Sequence, residues 1–262
     1  MTVKLLPPII LLVAFLVGWE LLAIALKVPD IILPLPSGVL AASVVDIGLY
    51  LKHSVPTLIE VVLGYVIALA LGAGTGLIVA FSRTLGAAVY PAMVAAQIMP
   101  KVAIAPLLVV WFGFGIEPKL IMTALIAFFP IVINTIVALN MTTRESIYLF
   151  RSMGATPAQT FFKLRLPTAL PVFFGGLKIA ATLAVIGVVV AEFYSSDQGL
   201  GYLLLLQVSS SDTTGAFASI LYLTVMGLLV FGAIVLIERL MVPSHMLKKF
   251  DELSGGSRPR PS

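Results

Sequence analysis

TTRESIYLFRSMGATPAQTFFKLRLPTALP, residues Thr142 to Pro171, is the stretch on which the reading of this chain turns. It stands between apolar segments and carries the signals of two short helices. Thr142 with Glu145 three residues later fits a capping box, and Gly154 is placed to end the first helix in a left-handed turn. Thr156 repeats the device, with Pro157 at the first helical position and Gln159 three after the cap. Ile147, Phe150 and Met153 share one face of the first helix, while Phe161 with Leu164 and Phe162 with Leu166 are spaced for faces of the second. Arg144, Arg151, Lys163 and Arg165 supply positive charge, and Pro167 is expected to end the second helix. The prediction is a helix-turn-helix elbow with an apolar side and a basic side. No catalytic constellation accompanies it, so it reads as a docking surface.

The composition says what the elbow is attached to. Of 262 residues, 60% are hydrophobic and 11% charged. The mean hydropathy is +1.12. Soluble domains carry about 25% charged residues, so this is an integral membrane protein. With no cysteine there are no disulfides, thiolate metal sites or cysteine nucleophiles. The two histidines, His53 and His245, lie beside membrane ends, and neither a metal nor a cofactor is expected. The net charge of +4 does not call for nucleic acid, because lysine and arginine on the cytoplasmic side account for it.

A bilayer core needs roughly 20 apolar residues per helix, and the sequence offers about six such segments in an all-α, polytopic arrangement. Leu5 to Leu26 is read as a retained first span; a cleaved signal peptide is the competing reading, but no small-x-small site follows. An outer connection over 27–54 contains an amphipathic helix near Val39 to Leu51. Val55 to Phe81 follows, with Gly64, Gly72, Gly74 and Gly76 letting a neighbour approach closely. Then come Ala87 to Phe112, interrupted by Pro91, Pro100 and Pro106, and Leu120 to Asn140, which leads to the elbow. Val172 to Phe193 and Ala216 to Leu240 complete the set. Residues 1–241 read as one transmembrane unit and 242–262 as a polar, disordered cytoplasmic tail.

Eleven lysines and arginines fall on the side of the elbow (Lys4, Arg83, Arg144, Arg151, Lys163, Arg165, Arg239, Lys248, Lys249, Arg258 and Arg260) against three on the other, Lys27, Lys52 and Lys119. That bias puts both termini and the elbow in the cytoplasm.

Gly154, nine residues, then Leu164, Arg165, Leu166 and Pro167 resemble the EAA loop of ABC importer permeases, whose pattern is E-A-A, three residues, G, nine residues, I, one residue, L-P. Gly154, Leu166 and Pro167 match, and Leu164 stands for the isoleucine. The E-A-A positions are Tyr148, Leu149 and Phe150 here, and Glu145 lies three residues too early. LPLPSGVL, PKVAIAPLLVVWFGFG, IAFFPIVINT, RSMGA, RLPTALP, AEF and GLGYLL extend the resemblance over about Leu33 to Met241, towards the nitrate/sulfonate/taurine branch and its relatives that import thiamine-precursor pyrimidines and riboflavin. The resemblance implies a type I importer fold in which two copies form the pore of an inner-membrane transporter. It implies that each elbow is a coupling helix seated in one of two ATP-binding cassette subunits, and that an extracytoplasmic solute-binding protein delivers substrate. Glu145, Arg151, Gly154, Ala155, Lys163, Leu166 and Pro167 are the coupling candidates. The chain has no Walker pattern, so it is not expected to be an enzyme, and ATP is hydrolysed by a partner.

Lys101, between two prolines at membrane depth, is the sharpest candidate for the translocation path and suits an anionic solute; the alternative is snorkelling or a structural ion pair. Gln97, Asn134 and Glu192 join it, with interhelical hydrogen bonds as the competing reading for the amides and an interfacial acid for Glu192. Trp111 and Phe112 read as interfacial aromatics, and Glu60 and Lys178 have no assigned role. Two other classes are weighed: an ion-coupled secondary transporter, against which the scarcity of buried acids counts, and a membrane scaffold without transport. Sulfonate, taurine, nitrate and pyrimidine precursors remain open as substrates.

Overall fold

The computed structural model describes residues 6–242, without the side chain of Arg83. Lys4, His245 and the basic tail therefore lie outside the described residues. Among those described, the chain is helical and has no strand. Its order is α1 Leu6–Ala25, α2 Pro36–Val45, α3 Ile47–Phe81, α4 Arg83–Ile98, a 3-10 turn Lys101–Ile104, α5 Ala105–Phe112, α6 Glu117–Asn140, α7 Arg144–Ser152 and α8 Pro157–Thr160. A π-helical turn Phe161–Arg165 then runs into α9 Leu166–Ser195, followed by α10 Leu200–Ser209 and α11 Thr213–Met241.

Five of these helices are long and apolar enough to cross a membrane, and a sixth crossing is the pair α4 and α5, bent by 78°. Two contacts fix how that pair must be read. The start of α6 lies beside the first half of α3, where Lys119 meets Glu60 at 2.7 Å. The end of α3 lies beside the elbow, where the Phe81 and Phe161 rings are 5.6 Å apart. Residues 82–116 must therefore carry the chain from one end of the bundle to the other, and the bent pair is a broken span. The break falls at Met99 and Pro100, as the proline pattern predicts. The amphipathic stretch around Val39 to Leu51 divides differently from the expectation: α2 stops at Val45, and Ile47 already begins the α3 span. α3 runs on through Pro56 without a break, and the Ser54 hydroxyl beside it donates to the Tyr50 carbonyl.

α6 is the centre, flanked by α3 and α9. In hydrocarbon, apolar burial alone drives little association, so close backbone approach is what holds these helices together. A Cβ on Gly64 would stand 2.5 Å from Thr123 Cβ, one on Gly72 2.9 Å from Ile131 and one on Gly76 2.6 Å from Thr135. Three of the four glycines singled out thus form the α3–α6 seam, whereas Gly74 faces open space. Alanines 180, 181 and 184 do the same service on α9. α1 is peripheral, and its Glu20 caps α2 by accepting from the Ser37 N–H at 3.0 Å and the Ser37 hydroxyl at 2.5 Å.

Candidate functional site

The elbow folds as two capped helices, with one correction at its start. Thr143, not Thr142, is the first cap, and its hydroxyl accepts from the Ser146 N–H at 3.3 Å. Glu145 is then the second helical residue and cannot reach back as the third residue of a capping box does. At the second helix the expected box is complete. The Gln159 N–H donates to Thr156 Oγ1 at 3.2 Å, and the Thr156 N–H donates to Gln159 Oε1 at 2.9 Å. Gly154 has φ +78°, the left-handed conformation that glycine adopts without strain. Pro167 does not end the second helix. The π-helical turn ahead of it widens the backbone, and Thr168 bonds the Leu164 carbonyl at 2.7 Å, so α8, the π turn and α9 form one continuous rod.

Glu145, Arg151, Gly154 and Lys163 are exposed, while Ala155, Leu166 and Pro167 are half-buried. Ile147 and Phe150 turn partly inward, but Met153 does not join them: it is 76% exposed. Tyr148, Leu149 and Phe162 are likewise exposed, as are Arg144, Arg151 and Lys163 on the same loop. The Arg165 guanidinium lies over the Phe81 ring, 5.7 Å from its centroid, and fastens the elbow to α3.

Three of the four path candidates meet. Lys101, Gln97 and Asn134 line one cavity of about 490 Å³, walled by Phe129, Ile133 and Leu183. The Lys101 ammonium donates to the Gln97 carbonyl at 3.2 Å and sits 4.8 Å from the Phe129 ring centroid. No carboxylate pairs with it among the described residues. Asn134 bonds its own helix at the Pro130 carbonyl, 2.8 Å, and packs where Gly176 of α9 leaves room for it.

Glu192 does not join that cavity. It is 1% exposed, at the end of the bundle away from the elbow. It accepts from the Thr57 hydroxyl at 2.7 Å and the Gly201 N–H at 2.5 Å. The Gly199 N–H donates to His53 Nδ1 at 3.1 Å, and Gly199, at φ +108°, also leaves the space that the Glu192 carboxylate fills. Beside this knot, Lys119 donates to Glu60 at 2.7 Å and to Ser196 at 2.9 Å. Lys178 pairs with Glu238 at 2.5 Å, so the two residues without a sequence role, Glu60 and Lys178, are halves of interhelical ion pairs. Glu60, Glu192 and Glu238 are all buried, which corrects the expectation that buried acids are scarce. Each has a partner on another element, and none stands in a metal-binding group among the described residues.

Broken span, central three-helix seam and elbow define a multi-pass helical membrane protein. Residues 68–243 match the family described as binding-protein-dependent transport system inner membrane component. The formylaminopyrimidine transport permease protein ThiX of Halalkalibacterium halodurans is 36% identical over 91% of this chain and 95% of its own. The riboflavin transport system permease protein RibX of Chloroflexus aurantiacus is 35% identical over 88% of this chain and 87% of its own. Among solved structures, an inward-facing form of the MetNI methionine ABC transporter has a chain that aligns with a TM-score of 0.54 at 21% identity, covering 71% of this chain and 93% of that one, a likeness of fold. The chain belongs to the binding-protein-dependent ABC importer permeases, as the sequence blocks led one to expect.

Proposed function

We propose that two copies of this chain enclose a pore in the cell (inner) membrane, with both termini and both elbows in the cytoplasm. Each elbow seats in an ATP-binding cassette subunit that hydrolyses the ATP, and an extracytoplasmic binding protein delivers a small solute to the opposite face. The observation that carries this reading is the elbow itself. Four exposed apolar side chains, Tyr148, Leu149, Met153 and Phe162, share with three exposed cations, Arg144, Arg151 and Lys163, a loop whose backbone is held by its own caps. An apolar centre with a basic rim suits a protein cleft with an acidic edge. Arg151 and Lys163 belong to that rim, while Gly154 and Ala155 shape the turn. The continuous rod from Pro157 to Ser195 gives the elbow a direct lever into the bundle. In place of the family's E-A-A, the aromatic and aliphatic trio Tyr148, Leu149 and Phe150 makes the contact more apolar than acidic.

The Lys101 cavity lies on the solute's path, with Gln97 and Asn134 offering amide donors and acceptors. Its solute is a small organic molecule, and the named relatives favour a pyrimidine-type vitamin precursor over a sulfonate, taurine or nitrate. The test is co-purification. The full chain brings down an ATP-binding subunit, and Phe162→Asp together with Leu149→Asp abolishes that association while the chain still inserts. Retained association in the double variant contradicts the proposal.

A further inference from the structure

The end of the bundle away from the elbow buries three ionisable side chains in one cluster: Glu60 of α3, Lys119 of α6 and Glu192 of α9. Their hydrogen bonds leave one atom over. Glu60 Oε1 accepts from the Lys119 ammonium at 2.7 Å, and Lys119 gives a second proton to Ser196 at 2.9 Å. Glu192 Oε1 accepts from the Thr57 hydroxyl, and its Oε2 from the Gly201 N–H. Glu60 Oε2 is buried and receives no proton from any of these donors. Yet the Glu192 carboxyl lies within hydrogen-bond reach of Glu60.

Charge leaves the same gap. With both acids ionised, two carboxylates face one ammonium, and the cluster keeps an uncompensated negative charge out of water. Such a charge is costly, and two carboxylates in contact repel each other. The surroundings do not supply the missing positive charge. His53 accepts from the Gly199 N–H at Nδ1, as a neutral ring does, and stacks on Tyr202. Lys52, Glu117 and Asp197 are exposed to solvent, which screens them. A single proton closes both gaps. It cancels one charge, and it turns one acid into an O–H donor for the free oxygen of the other.

We propose that Glu60 and Glu192 share one proton, making the pair a buried proton-binding site that latches α3 to α9. Occupied, the pair completes the last open hydrogen bond between the two helices. Vacated, it sets like charges across the same seam. A cavity of about 610 Å³ lined by Glu60, Lys119, Ser196 and Asp197 stops short of the proton: Glu192 is not among its walls, and Glu60 Oε2 is sealed from it. The proton therefore exchanges with water only when the knot opens. The site takes no solute and stands independently of the permease reading.

The test is infrared spectroscopy of the full chain in dodecyl maltoside, a detergent without carbonyl groups. At about pH 7.5 exposed carboxyls are ionised, so a protonated-carboxyl C=O stretch reports a buried acid. The expected result is such a band in the wild-type chain, shifting only slowly after transfer to D2O. Glu192→Gln abolishes it, because the amide N–H takes the place of the shared proton and leaves Glu60 ionised beside Lys119. Glu60→Gln abolishes it too, because Glu192 is then the only acid set against Lys119. In the wild-type chain the thermal unfolding midpoint falls as pH rises from about 6 to about 9, because the folded state keeps a proton that the unfolded chain has released. In Glu192→Gln that fall is lost. Absence of the band from the wild-type chain, its survival at full intensity in either variant, or an unchanged pH profile in Glu192→Gln overturns the shared proton.

Discussion

The two ends of this bundle are built on opposite principles. At the elbow, hydrogen bonds span three or four residues, side chains are exposed and cations have no carboxylate partner among the described residues. At the other end, Glu60, Lys119, Thr57 and Glu192 are buried and joined by bonds that span 59 to 135 residues. The first arrangement leaves a stable shape with unspent binding capacity, as a partner-facing surface needs. The second uses nearly all its capacity internally and locks α3, α6, α9 and α10 to each other. One end is made to be held from outside, and the other holds itself.

Removing one member of the locked end is the most damaging change. Lys119→Met strands Glu60 as a lone buried charge, and losing one partner of such a pair costs about 3–5 kcal/mol. The expected outcome is a large drop in the thermal unfolding midpoint in detergent, largely recovered in the double variant Glu60→Leu with Lys119→Leu. The same change at the elbow, Lys163→Met, leaves that midpoint alone and weakens ATPase coupling. Equal destabilisation by both single variants breaks the contrast.

The next effect is Gly64→Val. Overpacking the α3–α6 seam costs about 1–3 kcal/mol, whereas Gly74→Val, in open space, is near neutral in the same unfolding assay.

Gly154→Val forces a branched residue into a left-handed turn at a local cost of roughly 1–2 kcal/mol. It leaves membrane insertion and global stability unchanged and uncouples ATPase activity from transport. Wild-type coupling in that variant counts against the elbow's role.

The smallest effect is Thr156→Ala. Removing the cap costs about 1 kcal/mol, seen as faster amide exchange confined to residues 157–165.

The same contrast decides what the sequence could disclose. Thr156, Pro157 and Gln159 are legible because their partners lie within one turn, and Gly154 because only one conformation explains a glycine there. The cap falls at Thr143 rather than Thr142: two adjacent threonines offer the same hydroxyl, and Ser146 at the third helical position of the cap at Thr143 is the cue that separates them. A proline rule looks at one residue and predicts a stop at Pro167, whereas the helix runs on through it behind a π turn over Phe161–Arg165. Glu192 and Glu60 were illegible in role because their partners are set by how α3, α6 and α10 come together. The nearest signal was Gly-Leu-Gly at 199–201, two glycines that leave room for a carboxylate. Lys101, Gln97 and Asn134 stand out in the sequence because a polar residue at membrane depth is conspicuous wherever its neighbours fall, and the fold brings the three to one cavity.

The most direct measurement replaces Leu149 or Phe162 by cysteine, one at a time, in this cysteine-free chain. Inside-out vesicles are treated with a short cross-linker, and intact cells with a membrane-impermeant maleimide. The expected result is an adduct between the elbow and the ATP-binding subunit in the vesicles, and no labelling from outside the cells. Labelling of either cysteine in intact cells, with no adduct in the vesicles, contradicts the assignment of this loop as the cytoplasmic handle of the importer.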